Sequence, residues 1–280
     1  MKRKIAICLY GLPREIEICK AFNIRFFEQL QLEPYFFCHT WLTEDYKFKK
    51  TYNDLERIKK VLGPVIVEQH DPVEYINKYC EDKNIDIDSN TFRDITHAGC
   101  RQIGQFLSLE RCIQLLEENE HKIPNFDIVL IQRYDVIFKL DRGDHVRHII
   151  NTQINDIIEN PDKPIIYQPL IDGSLIGGYP QASCYYFLTN RIGASTFAEN
   201  FGYNIITTYK QKNNPNRLSY FDGYLYDKKA NGVRNKHAFF FQQYINNVQA
   251  SCATHHIKHL VVRHTCTEKD SWEDIQRKFI

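Results

Sequence analysis

The chain has almost no net charge: 36 Lys and Arg stand against 35 Asp and Glu over 280 residues, a formal +1. So weak a field gives neither nucleic acid nor an anionic membrane surface a reason to bind. Long apolar runs are also missing. The opening Met1-Lys2-Arg3-Lys4 is basic, but the hydrophobic stretch after it ends at Leu9, and Gly11, Pro13 and Arg14 follow at once. That is too short for a secretory core or a membrane span, and a cytoplasmic protein is expected. No Asn-x-Ser/Thr acceptor occurs. Neither Gly-x-Gly-x-x-Gly nor Gly-x-x-x-x-Gly-Lys-Ser/Thr is present, which removes the dinucleotide fingerprint and the phosphate loop. Cys-x-x-Cys pairs are absent too. The nine cysteines (Cys8, Cys19, Cys38, Cys80, Cys100, Cys112, Cys184, Cys252 and Cys266) are odd in number, and several sit inside apolar runs. They read as buried thiols of a reducing compartment, not as a disulfide framework.

Aromatic residues, by contrast, are plentiful at 13%, with 18 Phe and 17 Tyr. Rings supply buried area and flat faces on which bases and sugars stack, and they serve an ordinary core equally well. The apolar runs Ile5–Leu9, Tyr35–Cys38, Val65–Val67, Ile128–Ile131, Ile165–Tyr167 and Tyr185–Leu188 are strand candidates. Tyr35–Cys38 is expected to stop at His39-Thr40-Trp41. The stretch from Thr43 to Lys60 is charged and reads as a loop followed by a solvated helix. Helical spacing runs through Ile16, Cys19, Phe22 and Phe26-Phe27. It is clearest over residues 101–122, where Ile103, Phe106-Leu107, Ile113 and Leu116 recur at three- and four-residue intervals. Strands alternating with helices predict an α/β fold with a mostly parallel sheet covered on both faces.

Open α/β sheets bind ligands beyond the carboxyl ends of their strands. Here those ends carry Gly11, Pro13 and Arg14, then His39, Thr40 and Trp41, then Gln132, Arg133 and Asp135. Arg133 and Asp135, two apart, share one face of an extended strand. A guanidinium is a bidentate donor for phosphate, and a carboxylate is an oxygen ligand for a divalent ion. A departing nucleoside diphosphate needs both kinds of help. A simple salt-bridged pair at a strand end has the same spacing.

Four segments carry a family resemblance. Ile5-Ala6-Ile7-Cys8-Leu9-Tyr10-Gly11-Leu12-Pro13-Arg14 resembles the opening strand and Pro-Arg turn of GT-A-like glycosyltransferases of bacterial capsular and giant-virus surface-glycan synthesis. Phe36-Phe37-Cys38-His39-Thr40-Trp41 resembles their second strand. Gln105-Phe106-Leu107-Ser108 resembles the start of the helix before their key strand. The block from Phe126 to Phe138 is similar to their Tyr-Asp-Ile-Val-x-x-x-Arg-x-Asp-x-x-Phe. The likeness spans roughly residues 5–188. It implies a single GT-A-like domain over 1–280, with a nucleotide-sugar half at about 1–140 and an acceptor half at about 141–280. Asp135 would take the last position of the Asp-x-Asp metal motif, with Arg133, which cannot ligate a metal, at the first. The implied cofactor is a loosely held Mn²⁺ or Mg²⁺, and the implied partners are a nucleotide-sugar donor, UDP-linked and xylose among the options, and a glycan acceptor. Gly11, Pro13, Arg14, His39, Thr40, Gln105, Arg133 and Asp135 would line the donor site.

For a base, Asp172, after the strand at Ile165–Tyr167 and before Gly173-Ser174, ranks first. Asp222, in an aromatic turn, ranks second, and a turn residue bonding its own backbone is the competing reading. The resemblance places a Glu near Lys236-His237-Ala238, where this chain has none. Cys252, His255, His256, His259, His264 and Cys266 fit no standard zinc spacing. His264, after the strand-like Leu260–Arg263, has the family's C-terminal His as precedent for a second metal ligand. A non-catalytic module holding nucleotide or glycan is the alternative, kept open by the missing first Asp and the missing Glu.

Overall fold

The computed structural model describes residues 2–13, 16–45, 50–52, 55–86, 101–122, 126–138, 143–176, 179–182, 186–199, 201–203, 206–207, 253–258 and 261–263. In chain order the first elements are β1 (Arg3–Tyr10), α1 (Ile16–Gln29), β2 (Leu32–Trp41), β3 (Thr43–Asp45), β4 (Lys50–Tyr52) and α2 (Leu55–Leu62). There follow β5 (Val65–His70), α3 (Pro72–Asp82), α4 (Arg101–Asn119) with a 3₁₀ turn at Glu120–Lys122, β6 (Ile128–Arg133) and β7 (Val136–Phe138). The last are α5 (Gly143–Glu159), β8 (Ile165–Ile176), β9 (Tyr179–Ala182), β10 (Tyr186–Thr189), α6 (Arg191–Ala198), β11 (Ala253–Lys258) and β12 (Val261–Arg263).

Among the described residues, eight strands form the main sheet in the order β11-β8-β10-β6-β1-β2-β5, with β9 paired to β8. The pairs β1–β2, β1–β6, β2–β5 and β8–β11 are parallel, and β10 runs antiparallel to both β6 and β8. This is the α/β class that the alternation of apolar runs predicts. Both faces are covered, so the central strands have no polar side. Ile5, Ile7 and Leu9 join one core with Phe26, Phe27, Leu130, Phe138, Ile150 and Ile154. Ala6, Cys8 and Tyr10 join the other with Phe37, Phe106, Leu109, Ile113, Val129 and Ile131. Continuous apolar runs in β1 and β6 follow from that double burial.

Local chemistry sets the element ends. Asp71 caps α3, its carboxylate accepting from the amides of Val73 at 2.8 Å and Glu74 at 3.1 Å, and Pro72 takes the first helical position, where no amide is needed. Three expectations are corrected. β2 runs through His39-Thr40-Trp41 instead of stopping there, because those residues pair with Glu68, Gln69 and His70 of β5. Residues 43–52 include an antiparallel pair, β3 with β4, before the helix. β8 continues to Ile176, so Asp172 lies within a strand and not after one. Cys8, Cys19, Cys38, Cys80 and Cys112 are buried free thiols, as expected. Among the described residues, no helix is long and apolar enough to cross a membrane.

Leu130 is 1% exposed at the centre of β6. Leu130→Ala should therefore lower unfolding free energy by about 2–5 kcal/mol in a urea titration, through lost burial plus a residual cavity.

Candidate functional site at the carboxyl ends of β1, β2 and β6

Three neighbouring strands meet in one row at this edge. Tyr10 is opposite His39 on one side and Arg133 on the other, and His39 is opposite Glu68. The next residues along, Gly11 and Tyr134, leave the sheet, while Thr40 and Trp41 continue β2 beside Gln69 and His70 of β5. Predicted residues from three separate segments are thus brought together at the end where open α/β sheets hold ligands.

Gly11 has φ +96°, in the left-handed region that favours glycine. Among the described residues, nothing lies within 4 Å of the place its side chain would occupy. The glycine is required by backbone conformation, and that side of the backbone is approachable. Its amide donates to Ser108 Oγ on α4 at 2.9 Å. Ser108 Oγ is 2.8 Å from His39 Nδ1 and 3.2 Å from the His39 carbonyl. His39 Nε2 is 3.0 Å from His70 Nδ1. One proton arrangement satisfies every group: His70 Nδ1–H donates to His39 Nε2, and His39 Nδ1–H donates to Ser108. Ser108 then donates to the His39 carbonyl while accepting a second bond from Gly11. Trp41 meets the His39 ring edge-on, with centroids 4.6 Å apart, and its Nε1–H donates to the Gly104 carbonyl at 3.0 Å.

His39 is fully buried. Both its ring nitrogens have partners, Ser108 and His70. Burial pushes its pKa well below the usual histidine range, and the neighbouring His70 and Arg111 act in the same direction. His70, half-exposed, is also lowered, first by burial and then by Arg111 and Lys78, against an opposing pull from Glu68.

Arg133 and Asp135 pair with each other. Nε meets Oδ1 at 2.9 Å and Nη2 meets Oδ2 at 2.7 Å, a bidentate fork. Their side chains are 13% and 4% exposed. The reading in which the two project separately, one to phosphate and one to metal, is replaced in this structure by a closed ion pair. Just beyond, β7 pairs with β12, ending with Arg263 opposite Val136, one residue short of Asp135 and of His264.

The remaining candidates divide. Pro13 is buried, and Gln105 is half-buried on α4. The Thr40 hydroxyl and Gln132 Oε1 are buried and have no hydrogen-bond partner among the described residues. The Asp172 side chain lies outside what is described, as do Arg14, Asp222 and His264. Among the described residues, no group of three or more His, Cys, Asp or Glu could hold a metal ion. A surface hollow of about 300 Å³ lies at the opposite end of the sheet, lined by Asp127, Asn190, Arg191 and Ser195. Its Asn190 is already used as the cap of α6, accepting from the Gly193 amide at 2.8 Å, and none of the predicted residues that are described lines it. Sequence reasoning did not single out Ser108 or His70 as parts of the site. Ser108 stood inside a quoted motif, but its bonds span 97 and 69 residues, and no local pattern encodes them.

Between the lowered values of His39 and His70 and the ordinary histidine value near 6.5, the unfolded chain binds protons that the folded chain refuses. Stability therefore falls as pH drops through that window and is regained above it. Thermal midpoints measured from pH 8 to pH 5 should decline below about 6.5. His39→Gln should flatten the decline while lowering the midpoint at pH 8.

No protein-family model matches the chain, and no curated protein matches it. Among solved structures, the chain is similar over 99% of its length, and 93% of the other chain, to a Bacillus anthracis protein assigned as a glucose-1-phosphate thymidylyltransferase and solved with sucrose, at 10% identity and a TM-score of 0.36. It is similar over 91% of its length, and 84% of the other chain, to mouse xyloside xylosyltransferase 1 in its apo form, at 9% identity and a TM-score of 0.37. Likeness at that level assigns no activity to this chain.

Proposed function

We propose that the protein is a GT-A-like glycosyltransferase that moves a sugar from a nucleotide-diphosphate donor to a glycan hydroxyl, with the donor held where β1, β2 and β6 end. The observation that carries the reading is the convergence, in one row, of an approachable left-handed Gly11 and the Arg133–Asp135 pair. The four-segment resemblance supports it. In this reading a UDP-sugar is the donor, xylose among its options, and Arg14 and Arg133 meet the phosphates. Residues up to about 140 form the nucleotide half and the remainder the acceptor half. Asp172 is the first choice of base and Asp222 the second.

The Asp135 oxygens suit a hard divalent ion, Mn²⁺ or Mg²⁺, whose charge would offset that of the leaving diphosphate. His264 is the second proposed ligand, because β12 brings the chain to Val136, beside Asp135. Arg133 already neutralises Asp135, so the pair as it stands offers little net positive charge. A diphosphate that draws the guanidinium onto its own oxygens would free the carboxylate, and both groups would then do work that neither does in the closed pair.

The closed pair also favours a second reading, a module that binds nucleotide or glycan without turnover. Hydrolysis and transfer of UDP-sugars, measured with and without Mn²⁺, separate the two: a pure binder shows neither. In the first reading Asp135→Asn should reduce transfer by about 100-fold or more. Asn is preferred to Ala because it keeps the shape of the side chain and one oxygen that accepts from Arg133, although both substitutions remove the charge. Arg133→Lys should raise the donor KM by about tenfold, since a point charge replaces a planar fork. Near-native kinetics in both variants would remove this pair from the site.

A further inference from the structure

Ser108 is fully buried in the middle of α4. A serine hydroxyl at such a position ordinarily bonds back to a carbonyl of its own helix. Here its bonds run outward, to the Gly11 amide and to both the ring and the carbonyl of His39. It thereby ties the first residue after β1 to β2. Through His39 the chain of bonds continues to His70 on β5. The tie fixes one atom in particular, the amide nitrogen of a glycine whose open side no described side chain fills. A glycine at positive φ has the widest conformational freedom in the chain, and a loop that must meet a ligand loses that freedom on binding unless something has already removed it.

We propose that Ser108 is a positioning residue for the donor. By holding the Gly11 amide it presets the turn after β1 for a nucleoside diphosphate, while touching no ligand itself. The inference rests on the reading of this strand end as the donor site.

The test titrates UDP, with Mn²⁺ present, into three proteins by calorimetry and follows the Gly11 amide resonance in each. Ser108→Ala should weaken UDP binding by about tenfold, the worth of one ordered backbone hydrogen bond, and should move the Gly11 resonance. Cys112→Ala is the control. Cys112 lies one turn further along α4, is equally buried, and has its single S–H within reach of the carbonyls of Leu9 and Phe37. It should lower the thermal midpoint yet leave both the UDP affinity and the Gly11 resonance unchanged. A native protein that binds UDP, beside a Ser108→Ala protein that binds it equally well, overturns this inference alone. A native protein that does not bind UDP overturns the donor-site reading and this inference with it. Should Ser108→Ala fail to fold, Ser108→Thr and Ser108→Cys replace it. The threonine oxygen keeps the acceptor and the sulfur weakens it, so UDP should bind the Thr variant more tightly. Equal affinities would again refute the positioning role.

Discussion

The central position of β1, paired in parallel on both sides, is the constraint on which the strand-end cluster depends. The pairing places Tyr10 against His39 and Arg133 at once, so residues about 30 and 120 positions downstream arrive together. Because both faces of β1 are buried, alternation between polar and apolar residues cannot fix its facing. Size does. Along the middle of the strand the smaller Ala6 and Cys8 face α4, whose Cys112 thiol reaches the carbonyls of Leu9 at 3.4 Å and Phe37 at 3.3 Å, and the one large buried residue on that face, Tyr10, comes at the strand's end. The bulkier Ile5, Ile7 and Leu9 fill the side packed by Phe26 and Phe27 of α1. Exchanging the two sets would press branched side chains against a helix that lies close to the sheet and leave a void on the other face.

The helix α4 does more than cover the sheet. The Gly104 carbonyl holds Trp41, and Ser108 holds Gly11 and His39. The buried Glu110 carboxylate accepts from Tyr79 of α3 at 2.9 Å and from the Gly202 amide. Arg111 makes a two-pronged contact with Glu68 of β5, at 2.8 and 2.9 Å, and also bonds Glu118. Burial raises the Glu110 pKa, while the bonds from Gly202 and Tyr79 pull it back. A buried carboxylate is costly unless its oxygens are satisfied, and these bonds supply that satisfaction. A single helix therefore fixes β1, β2, β5 and α3 by polar contacts, which unlike apolar packing specify one arrangement.

Much of the frame was legible because it is encoded locally. Ile5–Leu9 and Ile128–Ile131 announce buried strands by unbroken apolar runs, and α4 announces itself by its spacing. Extents were harder to read. β2 continues through His39-Thr40-Trp41 only because β5 lies beside it, and β8 passes Asp172 beside β9 and β11. Such partners are absent from any local window. The site was legible as a set of strand ends and not as a set of side-chain directions. Arg133 and Asp135 do not share one face of a strand as their spacing suggested: β6 ends at Arg133, and Asp135 lies in the turn before β7, where the two close on one another. His39 shows the same limit, since its burial is decided by Ser108 and His70, which a reading of β2 alone does not contain.

What the closed Arg133–Asp135 fork contributes turns on its surroundings. Exposed, such a pair would be worth little, and its partners would exchange freely with water and salt. At 13% and 4% exposure, solvent competes poorly for either group. Two opposite charges held in a fork at that exposure favour each other over ions from solvent. Under the proposed function, a metal-bound diphosphate would offer an anion to the guanidinium and a cation to the carboxylate at once. The structural cause is the short turn from β6 to β7, which sets the two residues close enough to lock together.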